Sequence, residues 1–291
     1  MTSPLLRGIW VPLVTPFTGT SAQAVDHAGL ARLVASLRET GIAGLVVCGS
    51  TGEAAMLSDQ ERRAVLDTTL AAGAGLPVLM GLSGVATPQV REDLLRWAEQ
   101  PVAGFLVSPP YYVKPSQAGI ADHYAALADA SPLPIVLYDI PGRTGVRIAT
   151  DTMLALAAHE RIVGVKDCSG DLDHLQAVLS DGRLAVLCGD DHRIFASLCL
   201  GGAGAIAASA HLHPQRFVEL QQLVDEGRLA EARALWRRLW PLTTALFEEP
   251  SPGPLKAALA PLHGLRNQLR PPMTLASAAT EALVARALEG L

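Results

Sequence analysis

The chain has 291 residues, about half of them hydrophobic (49%), with 23 Lys and Arg against 28 Asp and Glu and a formal net charge of -5. This length holds one large α/β domain or two ordinary ones. The acidic balance excludes nucleic-acid and anionic-membrane partners, which need clustered Lys and Arg; the densest basic spot is Arg233, Arg237 and Arg238, on a helix that also carries Glu231. Cys48, Cys168, Cys188 and Cys199 show neither CxxC nor metal-type spacing and read as reduced thiols of a cytoplasmic protein. The N-terminus lacks a signal-like layout, and apolar stretches such as Ala196–Ala210 are short and broken by Gly, so no bilayer-spanning segment is expected.

Short β-rich apolar runs recur along the chain: Ile9–Val14, Gly44–Val47, Pro77–Met80, Gly104–Val107, Pro134–Tyr138, Ile162–Lys166, Leu184–Leu187 and Gly204–Ala207. Each is followed by helical periodicity, over Asp26–Thr40, Asp59–Ala72, Thr87–Glu99, Gln117–Asp129, Thr150–His159, Leu172–Leu179, His192–Leu200 and Pro214–Asp225. Ser58 with Glu61 predicts a capping box. Continuously apolar strands that alternate with helices imply a parallel sheet covered by helices. The count of strands favours a closed (β/α)8 TIM barrel over a doubly wound sheet. Beyond Asp225 the pattern changes to three helices (Leu229–Phe247, Pro254–His263, Leu275–Gly290) with Pro- and Gly-rich joints. The expected organisation is a catalytic barrel over residues 1–225 and a C-terminal helical extension over 226–291.

Gly201-Gly202-Ala203-Gly204 precedes a strand, whereas a dinucleotide fingerprint follows one, so it reads as a tight helix-to-strand joint. The only lysines are Lys114, Lys166 and Lys256. Lys166 ends the run Ile162–Lys166, and strand alternation turns Gly164 and Lys166 into the barrel, with Gly164 leaving room below the lysine stem. Burial lowers a lysine pKa and supplies a neutral amine able to attack a carbonyl. A structural ion pair with Asp167 or Asp190 fits the strand pattern equally well. Tyr138 at the end of the preceding strand, and Ser50 and Thr51 after the second, lie at C-terminal strand ends, where barrels of this kind place their active sites. A buried tyrosine is commonly core; beside a barrel lysine and a hydroxyl-bearing loop it makes a proton relay. Arg143, in a loop after Tyr138, is suited to clamp a carboxylate, although single loop arginines are commonly just exposed. Gly189-Asp190-Asp191-His192 and the pair His211, His213 lack the spacing of a metal site, so no metal is expected.

These pieces, in this order, resemble the dihydrodipicolinate synthase / N-acetylneuraminate lyase family. The resemblance rests on Gly49-Ser50-Thr51-Gly52-Glu53, Pro110-Tyr111-Tyr112, Tyr138 to Gly145, Gly164-Val165-Lys166-Asp167, Gly189-Asp190-Asp191, Glu249-Pro250 and Pro254-Leu255-Lys256, and runs from Gly8 to Thr274. It implies a Schiff base between Lys166 and pyruvate and no other cofactor. It also implies a proton relay from Tyr138 through Ser50 to Tyr112, with Tyr112 reaching in from a neighbouring subunit of a homo-oligomer, a dimer or homotetramer. Ser50 and Thr51 would hold the pyruvate carboxylate, and main-chain atoms of Gly189 and Ile206 would line the pocket. Arg143 and the Tyr111-Tyr112 pair resemble the synthase branch, which condenses pyruvate with L-aspartate 4-semialdehyde to 4-hydroxy-tetrahydrodipicolinate on the diaminopimelate and lysine route. Ser50, where that branch usually has threonine, resembles the sialic-acid lyases and keeps a sugar-acid aldolase or dehydratase as an alternative; a non-catalytic ligand-binding barrel is a further one. At the positions of the family's lysine-feedback pocket the chain has Asp59, Val85 and Gln89 in place of histidine, asparagine and glutamate, so weak or absent lysine inhibition is expected.

Overall fold

A computed structural model describes residues 6–19 and 24–291. Its strands β1 (Gly8–Pro12), β2 (Gly44–Val47), β3 (Val78–Leu82), β4 (Gly104–Val107), β5 (Ile135–Asp139), β6 (Ile162–Asp167), β7 (Ala185–Cys188) and β8 (Gly204–Ile206) follow one another in order around a closed barrel. Every residue of β2, β3, β4, β5, β7 and β8 is buried. This explains why these strands read as unbroken apolar runs rather than as alternating patterns.

The helices are α1 (His27–Leu37), α2 (Asp59–Gly73), α3 (Thr87–Ala98), α4 (Gln117–Ala130), a single turn α5 (Pro141–Thr144), α6 (Thr150–Leu156), α7 (Leu172–Asp181), α8 (Ile194–Cys199) and α9 (Pro214–Asp225). Three more follow: α10 (Leu229–Ala245), α11 (Gly253–His263) and α12 (Ala278–Glu289). The expected capping box is present: Ser58 Oγ accepts from Glu61 N, and Glu61 Oε2 accepts from Ser58 N.

Departures from the sequence expectation have local causes. β1 stops at Pro12 rather than Val14, because Val14 N donates to His211 Nε2 (3.3 Å) instead of continuing the ladder. α12 begins at Ala278 rather than Leu275: Ser277 is its N-cap, accepting from Thr280 N, and the Glu249 carboxylate accepts from Ser277 N. α8 is shortened because Asp191–Arg193 forms a 3-10 turn ahead of it.

By their internal contacts the residues form two compact units. One comprises Pro77–Ile206 with the described residues 6–8; the other comprises Ile9–Leu76 and Ala207–Leu291. In the second, the C-terminal helices share a core with the β1 exit and α1: Val14 and Leu33 pack in one buried cluster with Leu242, Leu255, Leu259 and Val284. In the first, β5 and β6 hold a register that sets Tyr138 opposite Lys166 and Asp139 opposite Asp167. Ile135 and Val136 pair with Ile162 and Gly164, so Val163 is an extra residue, a bulge that brings the end of β6 level with that of β5.

Candidate active site

Lys166 and Tyr138 sit one residue before the ends of adjacent strands, and the ladder places their side chains together on one face. Both are buried, Lys166 at 6% exposure and Tyr138 at 8%. Lys166 Nζ lies 4.3 Å from the centre of the Tyr138 ring. Of the carboxylates first considered as ion-pair partners, Asp167 accepts from Ser169 N (2.9 Å), and Asp190 lies 3.8 Å from Arg193 Nε. The carboxylate that acts on Lys166 is Asp191, which is buried.

The titration of the pair corrects the expectation of a simply depressed lysine. Burial pushes the Lys166 ammonium down, but Tyr138 first, then Cys168 and Asp191, hold it up, and its pKa ends above the ordinary value. Burial pushes the Tyr138 phenol up, against the nearby Lys166. Lys166 and Tyr138 therefore titrate as a unit. The first proton lost from the pair leaves either ammonium with phenolate or amine with phenol, two tautomers of one charge state. The amine–phenol tautomer supplies a nucleophilic amine with its proton donor already beside it.

The space for the lysine stem does not come from Gly164. A Cβ there would come within 2.7 Å of Ala185 O and of Leu6 Cδ1, so Gly164 admits the neighbouring strand and Leu6. Gly189 does that work: a Cβ on it would overlap Cys168 Sγ and come within 2.7 Å of Lys166 Cε. Ile206 is fully buried at the end of β8.

Arg143 lies not in an open loop but on α5, whose Pro141 is at its first turn and whose cap, Gly145, has φ +78°. Its guanidinium is near enough to lower the Tyr138 pKa. The Tyr111-Tyr112 segment is tied to this turn, because Tyr112 N donates to Thr144 O (3.2 Å). The Tyr112 side chain is 86% exposed, on a residue with φ +69°. Lys166, Tyr138, Gly189, Arg143 and the Tyr112 backbone thus belong to one compact unit.

Ser50 and Thr51 belong to the other unit. They form a 3-10 turn, Ser50–Gly52, directly after β2, with Ser50 exposed and Thr51 buried. The turn is pinned where Gly52 O accepts from Thr15 Oγ1 (2.7 Å). It closes at Glu53, which adopts φ +55° and donates its N–H to Ser50 O.

The chain matches the model of the dihydrodipicolinate synthetase family over residues 5–290. The chain belongs to that family. It is 36% identical to 4-hydroxy-tetrahydrodipicolinate synthase of Magnetococcus marinus, with 98% of this chain and 97% of the relative covered. It is 38% identical to the enzyme of the same name from Sorangium cellulosum, covering 98% and 96%. The crystal structure of dihydrodipicolinate synthase from Thermotoga maritima superposes with a TM-score of 0.94 at 34% identity, covering 98% of each chain.

Two features of this dihydrodipicolinate synthetase family member escaped the sequence reading. Cys168 is one: its sulfur packs against the position where a Gly189 Cβ would stand, and burial holds its pKa well above the ordinary thiol value. The other is a buried ionic network behind the Ser50–Gly52 turn. Glu53 (1% exposed) accepts from Lys256 Nζ and, at 2.9 Å, from Arg270 N; Lys256 (4% exposed) also donates to Gln268 O (2.9 Å). Lys256 Nζ and Arg270 Cζ lie 4.1 and 4.7 Å from the centre of the buried Phe17 ring. Glu53 and Lys256 were visible as parts of motifs, but nothing in their spacing of 203 residues announced a pair.

Proposed function

We propose that this chain condenses pyruvate with L-aspartate 4-semialdehyde to 4-hydroxy-tetrahydrodipicolinate, on the diaminopimelate and lysine route, through a Schiff base on Lys166. The observation that carries the reading is the buried Lys166–Tyr138 pair at adjacent strand ends of a barrel of this family. The Lys166 amine adds to the pyruvate C2 carbonyl, and water leaves as the imine forms. Loss of a C3 proton gives an enamine, whose C3 bonds to the aldehyde carbon while the aldehyde oxygen takes a proton; the semialdehyde's amino nitrogen then adds to C2, and the Lys166 amine leaves as the ring imine forms. Tyr138 hands protons to and from these atoms, relayed by Ser50 to Tyr112. Ser50, Thr51 and their backbone N–H groups hold the pyruvate carboxylate, and Gly189 and Ile206 line the pocket. Arg143 receives the carboxylate of the semialdehyde, where its guanidinium also bears on Tyr138. The imine nitrogen is the electron sink, so no further cofactor is required.

The 86% exposed Tyr112 acts in the site of a second copy, in a homodimer or a homotetramer built of dimers. No helix among the described residues is long and apolar enough to cross a membrane, and the reading assigns the enzyme to the cytoplasm. One structural relative is described as a monomeric dihydrodipicolinate synthase variant, so assembly is tested directly. Mixing inactive Lys166→Ala and Tyr112→Phe chains restores activity if Tyr112 crosses an interface; no recovery after subunit exchange refutes it. Borohydride with pyruvate should leave one adduct, on Lys166, and a folded protein with no mass increase overturns the mechanism. A substrate panel that prefers a sialic or keto-deoxy sugar acid to the semialdehyde overturns the substrate assignment.

A further inference from the structure

Behind the Lys166–Tyr138 pair, the next residues of the same two strands form a cluster that the reaction does not use. Asp139 and Asp167 stand opposite each other in the β5–β6 ladder, an arrangement of like charges that neighbouring strands ordinarily avoid. Asp139 is 0% exposed; its Oδ1 accepts from Ile148 N (3.1 Å), and its Oδ2 is buried without a hydrogen-bond partner. His174, buried in the first turn of α7, has Nδ1 2.9 Å from Thr150 Oγ1 and leaves Nε2 buried and unpartnered. One ligand atom from each of Asp139, Asp167 and His174 lies within 4.8 Å of the other two. The cationic side chain in this neighbourhood, Arg147, is engaged with Asp171 at 3.0 Å.

We propose that Asp139, Asp167 and His174 bind a divalent first-row transition-metal ion. Two carboxylates and an imidazole form a mixed oxygen–nitrogen set suited to Mn2+ and Zn2+, whereas Ca2+ takes six to eight oxygens. A hydrogen bond between His174 and Asp139 would satisfy both orphaned atoms but leave the opposed Asp139 and Asp167 carboxylates uncompensated, whereas a bound ion does both in one step. Thr150 prepares the imidazole: with Nδ1–H donating to its hydroxyl, the Nε2 lone pair is free to ligate, the outer-partner arrangement usual for metal-bound histidine. A closure of about 1 Å brings ligands at this spacing to bonding distances of ~2.0–2.2 Å. Asp167 is partly exposed and gives an ion its way in. The cluster is distinct from the Asp190-Asp191-His192 run that follows β7. It cross-ties the two strand ends that present Tyr138 and Lys166, from the side away from that pair.

The test uses the full chain without substrate, so its outcome is independent of the proposed reaction. Titrating Mn2+ and following the free-ion electron paramagnetic resonance signal should show one tight ion per chain, displaced by Zn2+. Asp139→Asn keeps the acceptor for Ile148 N, and His174→Gln keeps a polar side chain; each should weaken Mn2+ binding at least tenfold while circular dichroism stays that of the folded protein. If either variant does not fold, the other decides. Wild-type protein that sequesters no Mn2+, or a folded variant that binds it as tightly as wild type, overturns the proposal.

Discussion

Replacing Glu53 by Gln removes one charge from a site that water does not reach and leaves the Lys256 ammonium facing Phe17 and a backbone carbonyl. Glu53 is 1% and Lys256 4% exposed, so neither charge has solvent to fall back on. Breaking a buried ion pair on one side costs about 3–5 kcal/mol. Burial, against the nearby Glu53, lowers the Lys256 pKa to about 8, so at neutral pH the ammonium is the main form and that cost applies. In a chain of this size, each kcal/mol shifts Tm by roughly 2–4 °C, which puts the loss on the order of 10 °C. The double variant Glu53→Gln with Lys256→Met removes both charges and keeps similar volumes, so it should lie within about 1 kcal/mol of wild type. Thermal and urea unfolding of wild type, both single variants and the double variant give the coupling energy directly. A Glu53→Gln protein within 1 kcal/mol of wild type, or a double variant no better than it, would refute the account of the network.

Gly189→Ala puts a methyl group where Cys168 Sγ and Lys166 Cε already stand. It should cost about 1–3 kcal/mol of stability and lower kcat by roughly a hundredfold through displacement of the amine; unchanged kcat would mean that the stem has room elsewhere. His211 is buried, and burial lowers its pKa from 6.5 to about 4. Folding favours its neutral form, so its contribution is complete above pH 6.5 and is lost as pH falls toward 4, by about 3 kcal/mol at most. The stability difference between wild type and His211→Gln should therefore shrink over that window, and a constant difference contradicts the assignment. Activity titrated with lysine should stay near its starting value at concentrations that saturate a sensitive site. The Asp59 carboxylate is engaged with Arg62, and Val85 and Gln89 are exposed. Strong inhibition at low lysine concentration sinks that expectation.

The barrel was legible because six of its strands are buried at every residue, which turns tertiary position into a local run of apolar residues. Gly44–Val47 and Gly104–Val107 could be read to the residue for this reason. What sequence could not supply was whatever depends on register between strands. The glycine that accommodates Lys166 belongs to the turn after β7, not to its own strand, and only the pairing of Asp167 with Cys188 brings it there. The turn that carries Arg143 was readable in principle, since Pro141 opens it and Gly145 closes it. The Glu53–Lys256 pair and the Asp139–Asp167–His174 cluster join residues whose separation in the chain carries no periodic signal.

The scarcity of lysine gives this protein a set of built-in reporters. Lys166 and Lys256 are buried and Lys114 is exposed, so of the three an acylating reagent added to the folded enzyme should mark Lys114 first. Isotopic enrichment of lysine alone would produce a spectrum of three side-chain signals. One would follow the proposed imine formation with pyruvate, one the ionic network behind the Ser50–Gly52 turn, and one the segment beside Tyr112, so the proposed reaction and its supporting structure could be watched in the same sample.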